Sequence, residues 1–226
     1  MSRRSHAERR AESAQRLLAA CVELIAEQGF ERTTAVEIGE RAGYSRSMVS
    51  VRYGSKEGLL QSLFDSEIKQ RLLPDHQLTG LAWVLGHLDH AVTLLELDRD
   101  LAKAFCVLIF EGVGGIPSVR EWYAGWMVDY EAALVQHLTE GQRDGEIDPG
   151  LDPVQEAEQI VSYGLGICFR WTIDSENYDF AGAIRRWRQR LAARYRPDPS
   201  GPAVTPAAGA TAARPRRSSR SSTGRP

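Results

Sequence analysis

Apolar residues recur at helical spacing through most of the chain, up to about residue 195. Stripes of this kind occupy residues 14–25, 81–95, 101–110, 117–138, 160–173 and 180–195. The first stripe is followed by Gly29 and the fourth begins at Pro117, residue types that are typical of the end and the start of a helix. No segment has the alternation of apolar and polar residues that a half-buried strand requires. The pattern therefore predicts an all-α protein.

Two short helices are predicted after the first stripe. Thr34-Ala-Val-Glu37 forms a capping box at the start of the first helix, which stops at Gly43. Ser45 is a suitable N-cap for the second, Arg46–Arg52. Short helices joined by a tight, glycine-containing turn are typical of a helix-turn-helix, whose second helix enters the major groove of DNA. The alternative is a helical hairpin that only packs, although a two-turn helix with few apolar residues would stabilise itself poorly.

A longer helix, Lys56–Leu72, is predicted to connect this unit to the rest of the chain. Ser55 is its N-cap and Pro74 follows its end. The chain is accordingly divided into an N-terminal arm with the helix-turn-helix (1–55), the connecting helix (56–73), a helical domain (74–196) and a basic tail (197–226). The tail consists largely of Pro, Ala, Ser, Thr, Gly and Arg, so we expect it to be disordered.

Charge and composition narrow the class of protein. The net charge of -2 is divided into +2 over residues 1–73, -8 over 74–196 and +4 over 197–226, so the basic ends favour an anionic partner. No window holds the ~20 apolar residues of a membrane span, and the Arg-rich N-terminus lacks the apolar core of a secretory signal. The three cysteines do not form a disulfide framework. We expect a cytoplasmic protein with no membrane partner, associated with the nucleoid when bound to DNA.

The segment from Thr34 to Leu60 resembles the DNA-binding signature of TetR-family transcriptional regulators. The resemblance covers about residues 10–65 and rests on motifs at the family spacing: Glu27-Gln-Gly-Phe30, Ala42-Gly43, Ser45, Tyr53 and Ser55-Lys56-Glu57. It implies an N-terminal three-helix helix-turn-helix domain that binds DNA, followed by a helical domain for ligand binding and dimerisation. Members of this family are most often repressors.

The resemblance also implies which residues contact DNA. Arg46, Ser47 and Met48 are the candidates for base edges and the nearby backbone. The candidates for phosphate contact are Thr34, Ser45, Ser50, Tyr53 and Lys56, with Arg52 as a further cation. Lys56→Ala is therefore expected to reduce the salt dependence of DNA binding by about one phosphate contact. The arginines of the N-terminal arm (Arg3, Arg4, Arg9 and Arg10) either reach the minor groove or are solvated.

The sequence departs from the family pattern at three positions, two of which are among these candidates. Ser50 stands where the family often has a phosphate-contacting tyrosine, and Tyr53 stands where it often has phenylalanine. Gly39 replaces a usual alanine at a helix-propensity cost of about 1 kcal/mol. Ser50 puts one phosphate contact in doubt, for which Arg52, two positions later, is the candidate replacement.

Large rings are concentrated in the central helices, and we interpret them as the wall of a ligand pocket. The candidate ligand-binding residues are Trp83, His87, Phe105, Ile109, Trp122, Trp126, Met127 and Tyr130. An ordinary hydrophobic core is the alternative for each of them. His87 and His90 lie three positions apart, but no other ligand stands at a supporting spacing, so no metal site is predicted.

Dimerisation is expected from the last two stripes, which offer more apolar surface than one protomer readily covers. The predicted interface residues are Ile160, Gly164, Ile167, Trp171, Ile184, Trp187 and Leu191. A two-fold dimer places two recognition helices about one turn of DNA (~34 Å) or a multiple apart, which predicts a palindromic operator.

The function expected from these features is that of a homodimeric regulator of transcription, a repressor released from double-stranded DNA by a small lipophilic or aromatic effector. The alternative is a DNA-binding protein without an effector, either architectural or constitutive. No phosphate loop, nucleophile elbow or metal constellation is present, so neither enzymatic activity nor a cofactor is predicted.

Overall fold

The computed structural model describes residues 5–73 and 77–197, which form helices and no strand. The all-α prediction is thus confirmed for this part of the chain. Arg3, Arg4 and nearly all of the predicted tail lie outside the described residues. The helices are α1 (His6–Gln28), α2 (Ala35–Arg41), α3 (Met48–Tyr53), α4 (Lys56–Leu63), α5 (Lys69–Leu72), α6 (Gly80–Leu97), α7 (Arg99–Val113), α8 (Pro117–Arg143), α9 (Pro153–Ile173) and α10 (Phe180–Arg194).

Local signals fix the ends of several helices as the sequence predicts. The Thr34 hydroxyl accepts a hydrogen bond from the backbone N–H of Glu37, whose side chain accepts one from the Thr34 N–H. Gly29 ends α1 with a φ of 84°, a conformation that side chains rarely adopt. Pro117 occupies the first turn of α8, and Ser55 caps α4 through the Gly58 N–H.

The recognition helix begins two residues later than predicted. Ser45 does not act as a side-chain cap, because the residues from Ser45 to Ser47 form a turn in which the Met48 N–H donates to the Ser45 carbonyl oxygen at 3.0 Å. The Tyr44 N–H is likewise held by the Gly39 carbonyl oxygen at 2.8 Å. Arg46 and Ser47 therefore lie in the turn ahead of α3.

The connecting helix is interrupted, where the sequence predicts a continuous helix. Residues Phe64–Ile68 form one π-helical turn between α4 and α5, in which the Lys69 N–H bonds to the Phe64 carbonyl oxygen. The Ser66 hydroxyl donates to the Ser62 carbonyl oxygen at 2.6 Å within this segment. The wider turn puts the Phe64 ring on Trp122 of α8, with the ring planes 7° apart. Turns of this kind often occur at functional sites.

Helices α1 to α4 form one packed unit, and helices α6 to α10 form a second. α7 packs on α1 with one side and on α6, α8 and α9 with the others, so it belongs to both units. Its buried residues include Leu101, Ala104 and Leu108. No single helix in the described ranges is long and apolar enough to cross a membrane; only α7 and α8 taken together have the length and composition, and they meet at a bend of 108°.

Candidate DNA interface and effector cavity

The helix-turn-helix is held together by close contact between α2 and the turn before α3. Ile38 and Val49 are completely buried between the helices of this unit. A Cβ on Gly39 would lie 2.7 Å from the Ser45 carbonyl oxygen, closer than real side chains approach. The glycine is therefore required by the tight packing of this turn, which accounts for the departure from alanine despite the lower helix propensity.

The outer edge of this unit is exposed and polar, as a DNA-binding surface requires. Of the predicted DNA contacts, five are exposed: Thr34, Ser45, Arg46, Ser47 and Ser50. The side chain of Arg46 is 79% exposed, and its Nε donates to Glu40 at 2.7 Å. An ion pair this exposed contributes little to stability, so DNA can displace it at low cost. Met48 and Tyr53 of α3 are half-buried and pack against the hydrophobic core.

Arg52 is engaged within the protein rather than directed at DNA. One guanidinium nitrogen donates to the Ser13 hydroxyl at 2.7 Å and the other to the Arg10 carbonyl oxygen at 2.6 Å. These bonds fasten α3 to the first turns of α1. Two of the five N–H donors of Arg52 are used for this junction, so the replacement of the missing tyrosine contact by Arg52 stays a prediction.

Lys56 is likewise held internally, which conflicts with its predicted phosphate contact. Its ammonium group donates to the carbonyl oxygens of Phe30 and Thr33, each at 2.9 Å, and lies 4.3 Å from the centre of the Phe30 ring. A third carbonyl, that of Glu31, is 3.4 Å away. The three donors of the ammonium are thus directed at one loop, between α1 and α2.

Replacing Lys56 by methionine is expected to lower the free energy of unfolding by about 1–3 kcal/mol, because loop carbonyls lose a charged donor. The salt dependence of DNA binding should stay unchanged. Denaturant unfolding measures the change in stability, and the affinity for DNA at several salt concentrations measures the salt dependence. Lys69→Met, at an exposed lysine of α5, is the control and should change neither. A loss of about one phosphate contact in Lys56→Met would restore the original prediction.

The same loop is held from the other side by Glu111 of α7, a residue that sequence reasoning missed. Its carboxylate accepts hydrogen bonds from the backbone N–H groups of Phe30, at 2.8 Å, and Glu31, at 3.3 Å. Glu111 and Phe30 are far apart in the sequence, so no local pattern could have indicated this contact. The loop before α2 is therefore clamped between Lys56 of the connecting helix and Glu111 of the second unit.

A cavity of about 110 Å³ lies inside the second unit. Six of the eight predicted ligand-binding residues line it: His87, Phe105, Ile109, Trp126, Met127 and Tyr130. Leu72 of the connecting helix also reaches its wall. Trp83 and Trp122 are the exceptions, because Trp83 stacks on His137 and Trp122 stacks on Phe64.

The rest of the cavity wall comes from α9 and α10, which sequence reasoning assigned to the dimer interface. Four of the predicted interface residues line the cavity: Ile160, Gly164, Ile184 and Trp187. Ile167, Trp171 and Leu191 are buried inside the same protomer, with exposures of 4%, 1% and 8%. The predicted interface is therefore corrected: this apolar face is covered by the chain's own helices and is not available to a partner.

A different face of α9 remains uncovered. Phe169 is 53% exposed, Ile173 is 73% exposed and Tyr163 is 44% exposed. Ser162 and Gly166 lie on this side as well, and a Cβ on Gly166 would meet no atom within 4 Å. The spacing from Ser162 to Gly166, Phe169 and Ile173 is that of one helix stripe. Small residues in its middle allow a second helix to approach closely.

His87 is the buried polar residue of the cavity wall. Its ring is 7% exposed and packs edge-on against Tyr130 and Trp187. Burial, the largest cause, lowers the pKa of His87 to about 4, while the nearby Val84 carbonyl acts in the opposite direction and His90 in the same one. The imidazole is therefore neutral at pH 7. One ring nitrogen can bond to the Val84 carbonyl, and the other has no hydrogen-bond partner among the described residues.

The buried imidazole makes stability depend on pH. Unfolding exposes His87 and returns its pKa to about 6.5, so the unfolded chain binds the proton first as the pH falls. The contribution of His87 is complete above pH 6.5 and is lost between pH 6.5 and pH 4, by about 3 kcal/mol in total. The nearby Tyr130 and Cys106 stay neutral in this range because burial and, for Cys106, contact with Cys168 raise their pKa values.

This is tested by denaturant unfolding at pH 7 and pH 4.5. The wild type should lose more stability over this interval than His87→Leu, by about 2–3 kcal/mol. His6→Gln, at an exposed histidine of α1, is the control and should retain the wild-type loss. If His87→Leu loses as much stability as the wild type, the imidazole is not neutral in the folded protein.

An exposed helix-turn-helix joined to a helical bundle with an apolar cavity defines a class of DNA-binding regulatory proteins. A model of bacterial regulatory proteins of the tetR family matches residues 17–63. The A-factor receptor protein of Streptomyces griseus is 28% identical over 166 residues, 72% of this chain and 56% of that protein. The match thus spans little more than half of this relative.

Further similarities extend over most of the chain. The fatty acid metabolism regulator protein of Bacillus subtilis (strain 168) is 27% identical over 169 residues, 72% of this chain and 85% of that protein. The complex of SmeT, repressor of a Stenotrophomonas maltophilia multidrug efflux pump, with triclosan has a TM-score of 0.68 at 20% identity; the match covers 88% of this chain and 99% of that one. Residues 17–63 thus match the tetR family of bacterial regulatory proteins, and the similarity to other regulators extends over most of the chain.

Proposed function

We propose that this regulator is a dimeric repressor that leaves a palindromic operator when a small lipophilic or aromatic effector enters the cavity. The observation that carries the proposal is the loop between α1 and α2, clamped by Lys56 of α4 and by Glu111 of α7. α7 also lines the cavity through Phe105 and Ile109. The same helix thus touches both the effector site and the unit that bears the recognition helix.

DNA binding is assigned to the exposed edge formed by the turn before α3 and by α3 itself. Arg46 and Ser47 are proposed to contact base edges, with the half-buried Met48 beside them. Thr34, Ser45 and Ser50 are proposed to reach phosphates, since short hydroxyl side chains commonly bind there. Lys56 and Arg52 are assigned to holding this edge in place, and Tyr53 to supporting it. A cytoplasmic location, with access to DNA, is part of this proposal.

Dimerisation is assigned to the exposed stripe of α9. A two-fold axis near Gly166 would bring two copies of the stripe together and bury Phe169 and Ile173. TetR regulators act as dimers, and an isologous interface places two recognition helices on the same side of the assembly. Two half-sites in inverted orientation follow from this symmetry.

The effector is proposed to act through a difference in affinity between two conformations. A molecule that binds more tightly to the conformation with wrongly spaced recognition helices lowers DNA affinity by that difference alone. Two elements connect the effector cavity to the DNA-binding unit. One is α7, through Glu111, and the other is the connecting helix, through Leu72 and the π-helical turn. Effector affinity should fall in the presence of operator by the same factor. The binding of triclosan by SmeT supports a small molecule in this fold.

The proposal is tested with a duplex from upstream of the protein's own gene in a mobility-shift assay at low salt. We expect one shifted species with two protomers per duplex and release by some members of a set of lipophilic compounds. Failure to shift any such fragment contradicts the proposal. A shift that no compound affects favours a constitutive or architectural DNA-binding protein instead.

A further inference from the structure

The described residues that line the cavity carry no charge. They have aliphatic, aromatic and thiol side chains, with His87 as the most polar member, and among them is no Asp, Glu, Lys or Arg. Burying an unpaired charge in such surroundings is very costly. An effector that places a carboxylate or phosphate here would find no counter-ion, so the described walls select an uncharged molecule.

Two buried nitrogen groups in these walls lack part of their hydrogen bonding among the described residues. The indole Nε1 of Trp126, which is only a donor, has no partner there. The imidazole of His87 can bond to the Val84 carbonyl through one nitrogen, which leaves the other nitrogen without a partner. Buried polar groups are nearly always hydrogen-bonded, so an unpaired group in a binding cavity indicates where a ligand atom belongs. The remaining wall is apolar and offers such a ligand few other polar contacts.

The indole of Trp126 is held in one orientation by the rings around it. It stacks on Tyr130 with centroids 5.0 Å apart and ring planes 9° apart, and Phe105 meets it edge-on at 5.6 Å. His87 meets the same Tyr130 ring edge-on at 5.7 Å. Both groups therefore lie beside the same tyrosine ring in the wall of one cavity.

The size of the cavity limits the size of the molecule. Its volume of about 110 Å³ is of the same order as the ~150 Å³ of an engineered apolar cavity that binds benzene. One substituted ring fills this space, whereas a long acyl chain requires the surrounding helices to move apart.

We propose that the effector is a compact, uncharged molecule of about one substituted ring, with a hydrogen-bond acceptor for the indole N–H of Trp126 and a polar substituent for His87. This inference rests on the proposed function, since it concerns the same cavity. It adds the chemistry of the effector: an uncharged carbonyl compound fits, and an isosteric carboxylate does not.

Three probes of nearly equal shape test the Trp126 contact by calorimetric titration of the full-length protein. Acetophenone carries a carbonyl oxygen, α-methylstyrene has a carbon in its place, and benzoate carries a charge. We expect acetophenone to bind about tenfold more tightly than α-methylstyrene, since it satisfies a buried donor. Benzoate should bind at least ~100-fold more weakly than acetophenone.

Trp126→Phe identifies the donor. This variant keeps a ring in the stack but removes the N–H, so the advantage of acetophenone should disappear while the affinity for α-methylstyrene is retained. Trp171→Phe is the matched control, because Trp171 packs on Phe180, does not line the cavity and makes no ring contact with Trp126. It should leave the preference for acetophenone intact.

The His87 contact is tested with the three hydroxyacetophenones. At least one isomer should bind more tightly than acetophenone, and His87→Leu should remove that gain while acetophenone itself still binds. The proposal is overturned by equal binding of acetophenone and α-methylstyrene, by tight binding of benzoate, or by the failure of both neutral probes to bind. A mobility shift on the same samples reports on operator binding separately, so loss of the effector inference and loss of the regulatory function are distinguishable.

A second inference rests on a different observation, the exposure of Val51. This residue of α3 is 79% exposed, while Val49, two positions earlier, is completely buried. Ser47 and Ser50 flank Val51 on the outer side of the recognition helix. In the major groove the C5-methyl group of thymine is the apolar feature that such a side chain can recognise. We infer that Val51 reads a thymine in each half-site.

Replacement of thymine by deoxyuridine in a selected operator tests this contact, since it removes only the methyl group. When the thymine that Val51 contacts is replaced, the affinity of the wild-type protein for the operator should fall about threefold for each half-site changed. Val51→Ala should bind the thymine and deoxyuridine operators equally. Val113→Ala, at a valine of α7 that is 78% exposed, is the control and should keep the wild-type sensitivity. If no thymine is sensitive, or if Val51→Ala remains sensitive, the contact does not exist.

Discussion

Gly166→Arg is expected to convert the dimer into monomers and to weaken operator binding by about 10²–10⁴-fold. The magnitude is that of the effective concentration lost when two linked half-sites become independent. Two arginines would meet across the two-fold axis of the proposed α9 interface, where the side chains must lose their water. The fold of each protomer should survive, because Gly166 is exposed and a Cβ there meets no neighbouring atom of the described chain within 4 Å.

Sedimentation equilibrium measures the mass of this variant, and fluorescence anisotropy with a labelled duplex measures its affinity. The control is Gly125→Arg in α8, a glycine that is also exposed and also has no neighbour within 4 Å. It should remain dimeric and bind the operator with wild-type affinity. If Gly166→Arg stays dimeric and the control does not, the interface lies on α8 instead.

Gly58→Ala is expected to destabilise the protein by about 1–3 kcal/mol, occasionally more, and to impair operator binding. A Cβ on Gly58 would overlap the carbonyl oxygen of Tyr53, the last residue of α3. Because the obstacle is backbone, the recognition helix must shift relative to α4 to relieve the overlap. The stability loss and the loss of DNA affinity thus have the same cause.

The matched comparison is Gly125→Ala, within α8. A methyl group there meets nothing within 4 Å, and alanine restricts the unfolded chain, so stability should rise by about 0.4–1 kcal/mol. Denaturant unfolding at a fixed protomer concentration compares the two variants. Equal stability of Gly58→Ala and the wild type, with unchanged operator affinity, would mean that the α3–α4 junction is not tight.

The sequence is sufficient where the determining contacts are local. The capping box of Thr34, the glycine after α1 and Pro117 at the start of α8 are interactions within a few residues, and each helix end is found where the pattern predicts it. The family resemblance rests on the same short segment and is borne out by the match over residues 17–63. Six predicted cavity residues lie together because they occupy facing stripes of α6, α7 and α8.

The errors arise where the outcome depends on residues distant in the sequence. An apolar stripe indicates that a face is covered, but it does not say by what, so Ile184 and Trp187 were assigned to a partner although they line the cavity. The family resemblance implies a phosphate contact for Lys56, and no local pattern reveals its carbonyl partners, which are 23 to 26 positions away. The π-helical turn after Leu63 requires one residue more than the helix repeat and is stabilised by packing on Trp122.

Two symmetric copies of the turn before α3 and of α3 itself are proposed to read DNA. Selection of binding sites from random duplexes by the full-length protein tests this proposal. We expect an inverted repeat whose half-site centres lie one helical turn or a multiple apart, and loss of that enrichment in Arg46→Ala. Selection of no motif, or of a single unrepeated site bound equally well by Arg46→Ala, would contradict it.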